Sequence, residues 1–401
     1  MQLLTSVTSA AKRLLLLCCL VAAMPFIANA KAPQLSDSAH ITLVTVAPGN
    51  EIYMLFGHTG IRVQDDSAGF DVIFNYGTFD FEQPGFVPNF LRGKMLYMLS
   101  VDKYWDFISQ YEYENRRVEE QQLLLTKEDK QRIFDFLDNN AQRENRQYYY
   151  DFFWDNCATR PRDVFEKVLG KRLQYSYAGF DTTITLKQCL KPYVANDPWL
   201  DFGFDLILGM PCEIKATPRA QTFLPDRLAL LFEHATVDGK PFVTGKTVLL
   251  DVPYQPKPYE GITPLFVTFL LLMAGLGFTL VERIRKVHFW WLDVVVFVFA
   301  GFMGTFFLCM WIFTTHYSVP ENLNMLWLLP THLVVSWMLL RRNKPNWLRY
   351  YYIATLIILV VLLLGWKWNP QPYNIAVLPL ILLLAIRALT IVQELKSKRI
   401  A

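Results

Sequence analysis

The chain has 401 residues, 53% of them hydrophobic, which is long enough for more than one domain and too apolar for a wholly soluble protein. A formal net charge of +3 is close to neutral at this size, and no basic run interleaves with aromatics, so nucleic acid is not an expected partner. Six cysteines with no C-x-x-C pair argue against a disulfide framework or a metal ribbon, and neither a metal nor an organic cofactor is expected.

Residues 1–30 read as a secretory signal peptide. Lys12 and Arg13 supply the positive charge, an apolar run follows from Leu14 to about Ile27, and Ala28-Asn29-Ala30 is a small-x-small cleavage pattern. Cys18 and Cys19 fall within this run and are treated as part of it. The mature chain then starts near Lys31, outside the cytoplasm.

From residue 31 to about 250 the polarity is mixed, as in a soluble α+β domain. Phe56-Gly57-His58-Thr59-Gly60-Ile61-Arg62-Val63 reads as a strand. A Gly-containing turn at residues 65–69 and a second strand, Phe70 to Tyr76, complete a hairpin. His58 lies on the first strand and Asn75 late on the second, where antiparallel pairing brings the two together. Further on, Asp155-Asn156-Cys157-Ala158-Thr159-Arg160-Pro161 precedes apolar positions at helical spacing, closed by Gly170, so a helix begins near Cys157. Pro161 fits this imperfectly, the alternative being that it begins the regular helix and leaves Cys157 on an irregular turn just before it. A thiol at a helix N-terminus gains from the dipole and the free amides, which favour thiolate and offer an oxyanion hole. His58 is the base expected beside it, with Asn75 orienting the imidazole.

Of the aromatic runs, Tyr148 to Trp154 is read as core rather than interfacial, and Gly85 to Leu91 as a loop packed on the domain rather than dipping into lipid. An oxidising compartment permits a structural disulfide between Cys189 and Cys212.

Residues 251–262 form a Pro-rich linker around Pro253-Tyr254-Gln255-Pro256-Lys257-Pro258. Residues 263–401 then carry about five apolar stretches: Pro264–Val281, Phe289–Phe313, Leu326–Leu340, Tyr350–Leu364 and Ile375–Val392. Lys and Arg gather in every second loop (Arg283, Arg285 and Lys286; Arg341, Arg342 and Lys344; Lys396, Lys398 and Arg399), as the positive-inside bias demands of a chain whose soluble domain is outside. Trp290, Trp291, Trp311, Trp327, Trp366 and Trp368 lie near the span ends as interfacial anchors. Arg387 and His332 sit inside apolar stretches. The former is expected to snorkel and the latter to hydrogen-bond between helices, the alternative being a polar functional site. Cys309 is read as packing.

The order His then Cys, with His on a hairpin and Cys opening a later helix, resembles circularly permuted NlpC-like papain-fold enzymes. More narrowly, the motifs at 56–63, at 74–81 (Phe74-Asn75-Tyr76-Gly77-Thr78-Phe79-Asp80-Phe81) and at 155–160 resemble the Lnb family of bacterial membrane proteins. The resemblance implies a permuted papain-like periplasmic domain followed by an all-α membrane domain of about five transmembrane helices, in the bacterial inner membrane. It also implies lipoprotein N-acylation, in which an acyl chain moves from a phospholipid donor to the α-amine of a diacylated lipoprotein acceptor through a Cys thioester. Carried over by residue, Cys157 is the nucleophile and His58 the base. The third residue is Asn75, with Asp71 or Asp80 as alternatives. Arg160 and Arg162 are candidates for a lipid phosphate, with salt bridges to Asp155 or Asp163 as the other reading. Two rival functions remain: a membrane-tethered thiol hydrolase of phospholipid or cell-wall peptide, and a lipid-binding scaffold without turnover.

Overall fold

The computed structural model describes residues 33–397 except 81 and 83; the expected signal peptide lies outside these residues. An N-terminal sheet-rich region precedes a C-terminal helical bundle, as the mixed composition implies. Among the described residues ten strands form: β1 (His40–Val46), β2 (His58–Asp65), β3 (Phe70–Thr78), β4 (Leu96–Lys103), β5 (Val118–Leu123), β6 (Gln147–Tyr149), β7 (Leu173–Gln174), β8 (Thr236–Val237), β9 (Lys240–Pro241) and β10 (Val243–Leu250). Seven of them make one antiparallel sheet in the order β10-β5-β1-β2-β3-β4-β6, and β7, β8 and β9 make a small second one. The β2–β3 hairpin is the one read from the sequence.

The helices of this region are α1 (Phe86–Arg92), α2 (Tyr104–Tyr113), α3 (Lys127–Ala141), α4 (Thr159–Leu169), α5 (Leu186–Val194), α6 (Pro198–Ile207), α7 (Pro218–Gln221) and α8 (Pro225–Glu233). Strand side chains alternate between faces. On β3, Ile73 packs with Tyr104, Phe107 and Tyr111 of α2, whereas Phe74 meets Phe134 of α3 on the other side. Residues 86–92, expected as a packed loop, are a helix with much of its apolar surface exposed. The 148–154 run is divided: Tyr148 and Phe153 are buried, Tyr149 and Trp154 exposed. Cys189 and Cys212 share a buried cluster as free thiols, so the disulfide is not formed.

Among the described residues four helices are long and apolar enough to cross a membrane: α9 (Pro264–Arg285), α10 (Trp290–Phe313), α12 (Trp347–Leu364) and α13 (Val377–Ser397). The third expected helix is a correction. Leu326–Leu340 is broken into turns, a single α-turn, α11 (His332–Val335), and a 3-10 segment, Ser336–Leu340. Pro330 interrupts it, and its backbone presses on the glycines of α10. A Cβ on Gly304 would lie 1.6 Å from Leu328 O, and one on Gly301 would lie 2.1 Å from Leu333 N. The stretch still runs the length of α10. Asn324 near its start donates to Asp205 O of α6, and Lys344 beyond its end lies 4.2 Å over the Trp290 ring. Fifteen residues of regular α-helix would rise about 22 Å, and the tighter 3-10 winding at Ser336–Leu340 rises further, about 2 Å per residue, toward the roughly 30 Å of a bilayer core.

Arg387 does not snorkel. It is fully buried between helices, giving Nε to Asp293 at 2.7 Å, Nη1 to Thr279 and Glu282 at 2.8 and 2.6 Å, and Nη2 to Glu282 at 3.0 Å. His332 is bonded to Tyr351 on α12 at 2.7 Å, the interhelical bond expected of it. The soluble region is docked on the bundle by side-chain amides that take its loose carbonyls: Asn322 bonds Leu206 O at 2.6 Å and Gln371 bonds Leu208 O at 3.0 Å. Gly209 makes the approach possible, since a Cβ there would stand 2.0 Å from Pro320 O.

Candidate active site

β2 starts abruptly at His58 because Gly57 turns the chain with φ 78°, and a Cβ at this position would lie 2.6 Å from Val46 O. His58 stands opposite Val46 on the face covered by α2, its ring 6.4 Å from that of Phe107. Its Nε2 is hydrogen-bonded to Oδ1 of Asn75, which β3 carries opposite Ser100 of β4. An amide oxygen only accepts, so Nε2 holds the imidazole proton and Nδ1 keeps the lone pair a base requires. Of the two alternatives, Asp71 is engaged by Arg62 at 2.7 Å and Asp80 is exposed, accepting from Glu82 N at 2.8 Å. Asn75 is therefore the residue on the imidazole.

Cys157 lies on a turn fixed by its neighbour. Asn156 Oδ1 accepts from the amides of Ala158 and Thr159 at 2.8 and 2.9 Å, while its Nδ2 donates to Phe152 O and Phe223 O. α4 begins at Thr159 with Pro161 in its first turn, so the thiol precedes the helix rather than opening it. The Ala158 and Thr159 amides, expected as an oxyanion hole, are consumed by this cap. The thiol is instead met by the backbone amides of Thr59, next to the imidazole, and of Cys157 itself. The ladder is open there: pairing of β2 with β3 starts at Ile61–Phe74, and β3 carries an irregularity between Tyr76 and Thr78. Gly77 (φ 90°) occupies that irregularity, and a Cβ on it would lie 3.3 Å from Cys157 Cβ. Any side chain at 77 crowds the cysteine.

The electrostatics differ from those of an activated thiolate. Burial pushes the Cys157 thiol up to about 11, outweighing the two amides and Arg116, which lower it. Burial likewise drives His58 down to about 4, against the Asn75 bond that raises it. Desolvation penalises both charged forms and outweighs the groups that favour them, so the resting pair is neutral thiol and neutral imidazole. A consequence is measurable. With the thiol at about 11, only about one molecule in ten thousand is thiolate at pH 7. Iodoacetamide alkylation of Cys157, followed on its own peptide to separate it from exposed Cys309, is expected to rise about tenfold per pH unit from 7 to about 10. A rate already at its plateau below pH 7 would mean a preformed thiolate and refute the neutral pair.

Neither guanidinium proposed for a phosphate is free. Arg162 is buried and bonds Asp163 at 2.7 Å, Thr222 Oγ1 at 2.9 Å and Arg219 O at 3.2 Å, which ties α4 to α7. Arg160 grips Asp155 through Nε and Nη2 and lies 3.5 Å over the Tyr148 ring, so the salt-bridge reading holds for it. Arg116 is a site residue that the sequence reading missed. This side chain is buried, bonds Ala47 O at 2.9 Å and Glu114 at 2.8 Å, leaves Nη2 without a hydrogen-bond partner, and acts electrostatically on both Cys157 and His58. It borders a cleft of about 490 Å³ with Pro48, Gly49, Met54 and Tyr254. Tyr97, Tyr111, Tyr148 and Tyr150 also surround the thiol closely enough to feel its charge, and burial raises all four phenols. Arg116 and these tyrosines carry no local motif, which is why only the folded chain reveals them. Among the described residues no cluster of His, Cys, Asp and Glu is arranged to hold a metal.

Comparison with family models matches residues 30–189 to the Lnb N-terminal periplasmic domain and residues 257–399 to the Lnb transmembrane domain. The chain belongs to the Lnb family. Neither the curated proteins nor the solved structures searched contain a match. The Lnb periplasmic match takes in His58, Asn75 and Cys157 but stops within α5. Phe223, whose carbonyl anchors Asn156, and the α6 docking segment fall in the unmatched stretch between the two models. As an Lnb-family chain it is a multi-pass membrane protein with a periplasmic domain.

Proposed function

We propose that this protein is a lipoprotein N-acyltransferase of the bacterial inner membrane, moving an acyl chain from a phospholipid to the α-amine of a diacylated lipoprotein through a thioester on Cys157. The observation that carries the reading is a buried thiol met by the amide of Thr59, the residue after a histidine whose imidazole is bonded to Asn75, in a domain docked on membrane helices.

In the first half-reaction Sγ attacks the donor ester carbonyl as its proton passes to His58 Nδ1, a general-base step suited to a neutral pair. The amides of Thr59 and Cys157, which bond the sulphur, are the donors available to the developing oxyanion. Asn75 Oδ1 holds the imidazolium that forms. Collapse expels the lysophospholipid alkoxide, which takes the proton back and leaves the acyl group as a thioester. In the second half-reaction the acceptor amine attacks the thioester, His58 removes the amine proton, and the thiolate that leaves is reprotonated from the imidazolium. Both substrates are lipid-anchored, so a site tied to the bilayer raises their effective concentration. Burial of the thiol also favours transfer over hydrolysis, because it keeps water from the thioester.

The test is mass spectrometry of a lipoprotein N-terminus from cells that lack their own N-acylation activity and carry this protein instead. An amide-linked third acyl chain is expected. An N-terminus that stays diacylated in cells producing the protein refutes the reading. Free fatty acid or cleaved peptide without an acylated amine would point to the hydrolase.

A further inference from the structure

α1 is a seven-residue helix set between two left-handed glycines, Gly85 (φ 74°) and Gly93 (φ 71°). It leaves Val87, Phe90 and Leu91 exposed by 63, 53 and 45%. An exposed apolar cluster of this kind on a short helix calls for a partner. What borders it is the outer end of a membrane-crossing helix. Thr315 N donates to Arg92 O at 2.9 Å, Thr315 Oγ1 to Gly93 O at 3.0 Å, and His316 Nε2 to Phe90 O at 3.0 Å. These residues directly follow α10, whose last residues, Ile312 and Phe313, are themselves exposed. The exposed face of α1 is therefore continuous with a surface that faces lipid. Its outer apolar residues lie beside the end of a helix long and apolar enough to cross a membrane, where interfacial anchors are found.

On its inner side α1 starts an aromatic run that ends at the sulphur. Phe90 stacks on Phe86 with centroids 6.5 Å apart, Phe86 meets Phe79 at 6.2 Å, and Phe79 meets Tyr97 at 5.1 Å. Tyr97 stacks on Tyr150 at 4.2 Å. The Tyr150 ring then borders Gly77, where a Cβ would stand 3.7 Å from it and 3.3 Å from Cys157 Cβ. Tyr97 and Tyr150 also both respond to charge on the thiol. Stacked rings give a rigid apolar wall that loses little conformational freedom when a flexible chain lies along it. The two ends of this wall, lipid and thiol, are the two places an acyl donor must reach at once.

We propose that α1 dips into the outer leaflet and that the wall Phe90–Phe86–Phe79–Tyr97–Tyr150 guides a phospholipid acyl chain from the bilayer to Cys157. The chemistry at the far end rests on the acyltransferase reading, while the contact with the chain does not.

The experiment uses the full-length, unmodified protein in vesicles of phosphatidylethanolamine and phosphatidylglycerol. A small fraction of the phosphatidylethanolamine carries a diazirine at the middle or the end of one acyl chain. After illumination and proteolysis, lipid adducts are expected on α1 with both probes, and on Phe79, Tyr97 or Tyr150 with at least one. Adducts confined to α9, α10, α12 and α13 overturn the route. A second arm measures the acyl thioester on Cys157 by intact mass, in the wild type and in Phe79→Trp, which fills the wall. The ratio of long to short acyl chains is expected to fall roughly tenfold, the effect of shutting out a couple of methylenes. An unchanged ratio also overturns the route. Adducts on the wall with no thioester from any donor would keep the lipid contact and refute acyl transfer, so the two failures are told apart.

Discussion

Cys157→Ala is expected to abolish acyl-enzyme formation and lipoprotein N-acylation together. A nucleophile, its base and its orienting group act as one unit, so loss of the thiol or of the imidazole alone is expected to cost about 10⁵- to 10⁶-fold. The double variant Cys157→Ala/His58→Ala is then no worse than either single one. Cys157→Ser keeps the geometry but offers a far less acidic nucleophile to the same neutral imidazole, and is expected to be as inactive in turnover. Asn75→Ala is a different case. Val46 still pairs with the His58 strand position, so the ring stays near its place and loses only its fixed tautomer and the bond that stabilises the imidazolium. A hydrogen bond to a charged group is worth about 1.5–3 kcal/mol, which predicts a fall of roughly 10- to 150-fold in kcat. The measurement is the rate of thioester formation by intact mass, with Cys189→Ala as a control at a buried thiol outside the site. An acyl adduct that persists in Cys157→Ala would assign the nucleophile to another residue. An Asn75→Ala variant as inactive as His58→Ala would make the amide essential to the site's geometry instead.

The parts of this site legible in the sequence are those set by local patterns. The Gly-bounded strand around His58, the hairpin that returns Asn75 and the capping residues before Cys157 each announce themselves within about ten residues. What the sequence concealed is the outcome of competitions settled over long distances. Asn156 was visible as a cap, but not that it would take the Ala158 and Thr159 amides and leave Thr59 to meet the sulphur. The helix dipole argued for a thiolate, yet aromatic side chains from β4, α2 and the segment before Cys157 bury the thiol until desolvation prevails. Arg162 looked available because charge and proximity in sequence say nothing of direction, and its guanidinium turned inward to Thr222. The broken third crossing follows the same logic. Apolar composition announced a segment in lipid, but Pro330 and the bare backbone at Gly301 and Gly304 decided that it would not be a regular helix.

Arg387 offers the second large effect, on stability rather than chemistry. Its guanidinium is fully buried and satisfied by Glu282, Asp293 and Thr279, and Asp293 also bonds His288 at 2.6 Å. The group joins α9, α10 and α13 through the charged turn at Glu282, at the opposite end of α9 from the linker to the soluble domain. Arg387→Leu would leave two buried carboxylates without their cation, and breaking a buried pair in this way costs about 3–5 kcal/mol. The expected result is a large drop in the unfolding midpoint in detergent and in the amount of folded protein recovered. Adding Glu282→Gln and Asp293→Asn to Arg387→Leu removes the stranded charges and is expected to restore most of that loss, because the network orders the bundle without contributing to the reaction. The rescued triple variant should therefore acylate Cys157 at close to the wild-type rate. A triple variant with normal stability and no acyl transfer would reverse that conclusion and make the far end of the bundle part of the catalytic cycle.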